Sequence, residues 1–96
     1  MGSRKTVPFN PDGIKDLPND KPVVYKILDA DGKNVYTGVA QRGRVRARLE
    51  EHLPGSKDPV PGAKVQIEQM RSIEEAQAKE GRIIARSHPE FNKEGK

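Results

Sequence analysis

A chain of 96 residues has room for one hydrophobic core and not two, so a single domain with a single site is the expectation. Eighteen basic against fourteen acidic residues give a formal charge of +4, which excludes the strongly basic class of histone-like packaging proteins. The absence of cysteine excludes disulfides and thiolate metal sites, and no apolar run approaches the ~18 residues that a membrane span requires.

Leu, Ile, Val and Phe together number twenty, enough for a small core and little more. No signal-peptide pattern opens the chain, so a soluble, cytoplasmic protein is the default. Residues 1–22 carry four of the eight prolines and follow neither a period of 2 nor one of 3.6. They read as an irregular leader outside the folded domain, and Met1-Gly2-Ser3 has the form of a cloning scar.

From Val23 the pattern changes. "VVYKILDADGKNVYTGV" holds two β-branched and aromatic runs around Asp31-Gly32, a dipeptide suited to a tight hairpin turn. A two-residue loop there would set Leu28 opposite Val35, Ile27 opposite Tyr36, and Tyr25 opposite Gly38. Tyr25 and Tyr36 would then share one face as diagonal neighbours, roughly 7–8 Å apart, with space beside Tyr25 left by the bare Gly38.

Arg44 to Leu53 places Val45, Leu49 and Leu53 four apart, the buried stripe of a helix that Pro54-Gly55 ends. Beside that stripe Arg44, Arg48 and His52 recur at the same interval. Lys33, Arg42, Arg44, Arg46 and Arg48 form a basic run without an acid, and the planar fork of arginine suits phosphate. The bland alternative is a solvated face balanced by Glu50 and Glu51. "PGSKDPVPGA" is a loop, and "KVQIEQM", with Val65 and Ile67 alternating against polar neighbours, is a third strand.

Ser72-Ile73-Glu74-Glu75 has the form of a capping box and opens a helix to about Ser87, before Pro89. Its apolar stripe is Ile73, Ala76, Ile83 and Ile84, and Glu80 falls within that stripe. A carboxylate there needs a positive partner, either an arginine or a metal ion; the competing view is that the helix rotates slightly and Glu80 is a surface residue like Glu74 and Glu75. The adjacent Gly81, costly inside a helix by about 1 kcal/mol, suggests crowding. The fold expected is α/β of the α+β kind: a small three-stranded mixed or antiparallel sheet flanked by helices, in the order strand, strand, helix, strand, helix. The domain spans 23–92, and 93–96 is a polar tail.

Read together, these residues resemble the GIY-YIG nuclease family, the catalytic module of some homing endonucleases, some restriction enzymes and the incision subunit of bacterial excision repair. "VVY" stands for the first motif, with Val23-Val24 in place of Gly-Ile, and "YTG" for the second, at a similar tyrosine spacing. "RLEEHL" is similar to the segment that bears the family's catalytic arginine. That implies this role for Arg48, with His52 as the histidine found in some members; Arg46 remains a rival because the Tyr36–Arg48 stretch is longer than in many members. "EGRIIARSHPEFN" resembles the closing pattern and implies Glu80 as the metal ligand and Asn92 as the closing polar residue.

The resemblance implies phosphodiester hydrolysis with a single divalent cation, Mg²⁺ or Mn²⁺. Tyr25 would serve as base with help from His52, Tyr36 would orient water or phosphate, and Arg48 would stabilise the transition state. Arg42, Arg44, Arg46 and Lys26 would guide the nucleic-acid backbone, DNA in preference to RNA, and the setting it suggests is DNA repair. No membrane partner is expected. One site cuts one strand, so duplex breakage would need a homodimer or successive nicks, and the family's modules are commonly attached to a targeting domain or protein. The alternative is a non-catalytic nucleic-acid-binding module that retains the fold.

Overall fold

The computed structural model describes residues 4–57 and 59–87. Strand β1 (Arg4–Pro8) is followed by helix α1 (Pro11–Lys15), then by the hairpin of β2 (Val23–Leu28) and β3 (Asn34–Ala40). Helix α2 (Val45–Glu50), strand β4 (Lys64–Gln69) and helix α3 (Ile73–Ser87) complete the order. The four strands form one antiparallel sheet in the order β1-β4-β2-β3, which leaves β1 and β3 at its edges.

The hairpin keeps most of the expected register. Ile27 pairs with Tyr36 and Tyr25 with Gly38, but Leu28 pairs with Asn34 and not with Val35. The shift follows from a longer turn than Asp31-Gly32 alone. Asp29 closes the hairpin with Lys33, and its Oδ1 accepts from the N–H groups of Asp31 and Lys33, each at 2.9 Å. Gly32 takes φ 86°, the left-handed position that such a side-chain-organised turn requires.

Residues 4–15 correct the reading of 1–22 as an irregular leader and raise the strand count from three to four. Arg4–Pro8 pairs along β4 with Val7 opposite Val65, and Pro8, which lacks an N–H, is tolerated because it ends an edge strand. Asn10 then caps α1 through a 2.7 Å bond from Gly13 N–H to its Oδ1, with Pro11 in the first turn. Ile14 and Leu17 are fully buried. Five residues of strand and one helical turn are too short to show a period, and the prolines that signal a leader stand here at a strand end and a helix start.

The sheet has helices on both sides. On one face Val23, Tyr25, Ile27, Ala40, Val65 and Ile67 pack with Ile14 and Leu17 of α1's segment and Val45 and Leu49 of α2. Burial of these side chains is the main stabilising contribution, each worth roughly 1.5–3 kcal/mol. The alternate strand positions face α3. Glu68, which pairs with Val24, receives a 2.6 Å bond from Lys79 Nζ on that helix. Ser72 caps α3 by accepting from Glu75 N–H at 3.2 Å, while the Glu75 carboxylate reaches the neighbouring Arg71 N–H. Ala76 and Ile83 are buried and Glu80 is half-buried between them. A side chain at Gly81 would meet open space, so the crowding expected there is absent.

Candidate functional site

The site is built on Tyr25. Its side chain is 1% exposed and lies across the bare backbone of Gly38 on β3: a Cβ there would come within 2.6 Å of the phenol oxygen. The missing side chain thus lets a tyrosine from an inner strand reach over the edge strand. Its ring stacks on Tyr36, with centroids 6.1 Å apart and planes at 25°, so the expected sharing of one face holds.

His52 meets both phenols. Its Nε2 lies 3.0 Å from the Tyr25 hydroxyl, and its ring centroid is 4.6 Å from that of Tyr36. The histidine arrives there because the end of α2 tightens: His52 N–H bonds to Leu49 O and Leu53 N–H to Glu50 O, both three residues back. A turn of that kind advances more degrees per residue than an α-turn and swings His52 onto the sheet. The supposed single stripe of Arg44, Arg48 and His52 is therefore split. His52 is 4% exposed, whereas the Arg48 side chain remains 47% exposed, 3.8 Å from Glu51.

Burial is the main reason the Tyr25 phenol holds its proton well above the usual tyrosine range, reinforced by the neighbouring Tyr36. Arg48 acts in the opposite direction, and the negative charges of Glu80 and Glu51 add to the rise. Arg48 from α2 and Glu80 from α3 thus both lie near enough for their charges to be felt at one phenol, although they approach from opposite sides of the sheet.

An open cleft of about 430 Å³ is lined by Arg44 and Arg48 of α2's side, Ile73 and Gln77 of α3, and Val39, Ala40 and Gln41 between them; of Tyr25, Tyr36, Arg48, His52 and Glu80, only Arg48 lines it. Glu80 lies one turn beyond Gln77 and His52 one turn beyond Arg48. Gln41, Ile73 and Gln77 were not legible as site residues, since two amides and an isoleucine carry no motif; only the α2–α3 juxtaposition brings them in.

The other expected site residues are dispersed. Arg46 is tied through Nε to Leu17 O at 2.9 Å, which holds it against α1's end rather than beside the tyrosines. Arg42 is exposed in the turn before α2, and Arg44 is exposed at that helix's start. Lys26 alternates with Tyr25 along β2 and pairs with Thr37 and Gln66, which puts it on the sheet face opposite the phenols. Asn92 lies outside the described residues.

Among the described residues no three of His, Cys, Asp and Glu converge as a metal cage. A site whose only protein ligand is Glu80 would not form one, because water and substrate oxygens would fill the other positions. Among the same residues no helix is long and apolar enough to cross a membrane. No protein-family model, curated protein or solved structure matches this chain.

Proposed function

We propose that this chain is a divalent-metal-dependent endonuclease that hydrolyses phosphodiester bonds of nucleic acid, DNA in preference to RNA, at the β3 edge. The observation that carries the reading is the meeting of Tyr25, Tyr36 and His52 in one contacting cluster, with the charges of Arg48 and Glu80 both acting on its central phenol. These residues come from two strands, two helices and the turn that follows α2. The resemblance of their sequence motifs to the GIY-YIG nucleases supports the same conclusion.

Arg48 is suited to the phosphate: its planar fork can donate two hydrogen bonds, and it is half-exposed in the lining of the cleft, where it can stabilise the negative charge that builds in the transition state. Tyr36, half-buried, is the more accessible phenol and orients water or phosphate. Tyr25 is too strongly protonated to act alone as base. With His52 protonated on Nδ1, Nε2 can accept the Tyr25 proton, so the pair can pass a proton between them as part of a relay. Glu80 would hold a single Mg²⁺ or Mn²⁺, hard ions that accept a lone carboxylate and keep several waters. Such an ion supplies charge neutralisation at the leaving oxygen.

A second reading rests on one observation. Tyr25 is almost completely buried, as suits a retained structural residue in a module that binds nucleic acid without cutting it. Plasmid nicking with Mg²⁺ or Mn²⁺ against an EDTA control separates the two. The nuclease reading expects metal-dependent nicking that Arg48→Ala and Glu80→Ala abolish. Retardation of DNA on gels with no cleavage in either metal would select the binding module.

A further inference from the structure

Helix α2 carries Arg48 and leads into His52, yet it is six residues long, below the length at which a helix is stable by itself. Its first residue before the helix, Arg44, gives no side-chain cap. The missing cap comes from elsewhere in the chain. Asn19, in the segment between α1 and β2, accepts through Oδ1 from Val45 N–H at 2.8 Å and through its backbone carbonyl from Gly43 N–H at 2.8 Å. Two residues earlier the Leu17 carbonyl accepts from Arg46 Nε at 2.9 Å. Three bonds from Leu17–Asn19 therefore grip Gly43–Arg46, the stretch whose direction fixes where the next two turns place Arg48 and His52.

The segment is itself fixed on the far side. Leu17 is fully buried, Asp20 Oδ1 accepts from Gln69 Nε2 at 3.0 Å, and Pro22 O accepts from Met70 N–H at 2.8 Å. A clasp anchored in the core and on β4 thus holds the start of a helix too short to orient itself.

We infer that Asn19 is a positioning residue, which supplies the α2 cap from a distant segment of the chain and thereby sets His52 against Tyr25 and Arg48 in the lining of the cleft. The role of Arg48 and His52 in cleavage rests on the proposed nuclease reading; the placement of His52 does not. Loss of the Oδ1 acceptor frees the Val45 N–H, the first of the helix, and the helix start shifts to recover it.

The test compares Asn19→Ala, Asn19→Asp and Asp20→Ala with the unaltered full chain. Imidazole ¹⁵N chemical shifts of His52, recorded without metal and well below the unfolding temperature, read its tautomer and its bond to Tyr25. Asn19→Ala is expected to convert these from the values of one fixed tautomer towards the average of two. Asn19→Asp, which keeps the accepting oxygen, restores them. Asp20→Ala, which cuts only the tie to β4, leaves them unchanged. In nicking assays Asn19→Ala lowers kcat at least tenfold with KM changed less than about twofold.

His52 shifts unchanged in Asn19→Ala, or moved equally in Asp20→Ala, would overturn the inference, since a contact that merely stabilises lowers the unfolding temperature without touching the tautomer. If Asn19→Ala does not fold, Arg46→Leu removes the parallel tie to Leu17 and must show the same His52 change at smaller amplitude. A wild-type chain that cuts no nucleic acid under any metal refutes the nuclease reading alone, and the ¹⁵N shifts still decide the role of Asn19.

Discussion

The phenol oxygen of Tyr25 sits 2.6 Å from the point that a Cβ on Gly38 would occupy, and its Cζ 2.7 Å away. The pair is cross-strand and Tyr25 is fully buried, so the ring cannot swing into solvent to make room. Gly38→Ala is expected to displace the ring, break its bond to His52 and destabilise the fold by roughly 1–3 kcal/mol, the usual cost of overpacking. Denaturant unfolding measures this. In a Tyr25→Leu background, where no ring lies over β3, most of the cost should vanish, and a penalty that persisted undiminished there would refute the contact.

The buried phenol also makes stability depend on alkali. Burial first, then Tyr36, raises the folded pKa of Tyr25 above the unfolded value of roughly 10. Its contribution is therefore complete below that pH and is lost as the pH climbs from there towards the folded value, by up to about 1.4 kcal/mol per pH unit. The chain has two tyrosines and no tryptophan, so in Tyr36→Phe the phenolate absorbance belongs to Tyr25 alone. That absorbance should appear together with unfolding followed by circular dichroism. Ionisation near pH 10 with the fold intact would show Tyr25 to be solvated.

The hairpin, the α2 stripe and the α3 cap were legible because each is a local rule: alternation, a period near 3.6, and Ser at a helix start. Tyr25 and Tyr36 follow from the hairpin register, and that register survived the longer turn because the extra residue was absorbed at Leu28, beyond both tyrosines. The four-residue spacing puts His52 and Arg48 on one stripe beside the apolar face, so a partly buried histidine was legible; its near-complete burial apart from Arg48 was not, because only the tightening of the last turn separates the two. The leader failed for a different reason: β1 is a strand only because β4, some sixty residues later, offers it an edge.

On the opposite face, Lys79 joins α3 to β4 through Glu68. Burial would raise the Glu68 carboxyl, but the hydrogen bond and charge of Lys79, helped by Arg4, hold it below its usual value. A depressed folded pKa contributes stability that is present above the unfolded value, about 4.5, and is lost as the pH falls through the folded one. Lys79→Met keeps the aliphatic stem and removes the charge. It should cost about 1–2 kcal/mol at pH 7 and less at a pH low enough to protonate Glu68 in either protein. Urea unfolding at the two pH values checks the sign.

Arg44 and Arg48 line the same cleft, yet only Arg48 is among the charges that act on Tyr25. The two should therefore separate in kinetics. On the proposed nuclease reading, Arg44→Ala would remove a phosphate contact made alike in the ground and transition states, so that KM rises, the salt slope of binding falls by about 1, and kcat is kept. Arg48→Ala removes charge stabilisation needed only as the phosphate becomes more negative, and kcat falls about 10²–10³-fold. Arg48→Lys restores little of it, because an ammonium lacks the fork that binds two phosphate oxygens together. The geometry predicts this division because Arg44 precedes α2 and stands a full turn further from the phenol pair. Steady-state nicking rates over a range of substrate and salt decide it, and equal losses of kcat in the two alanine variants would refute a site centred on Tyr25.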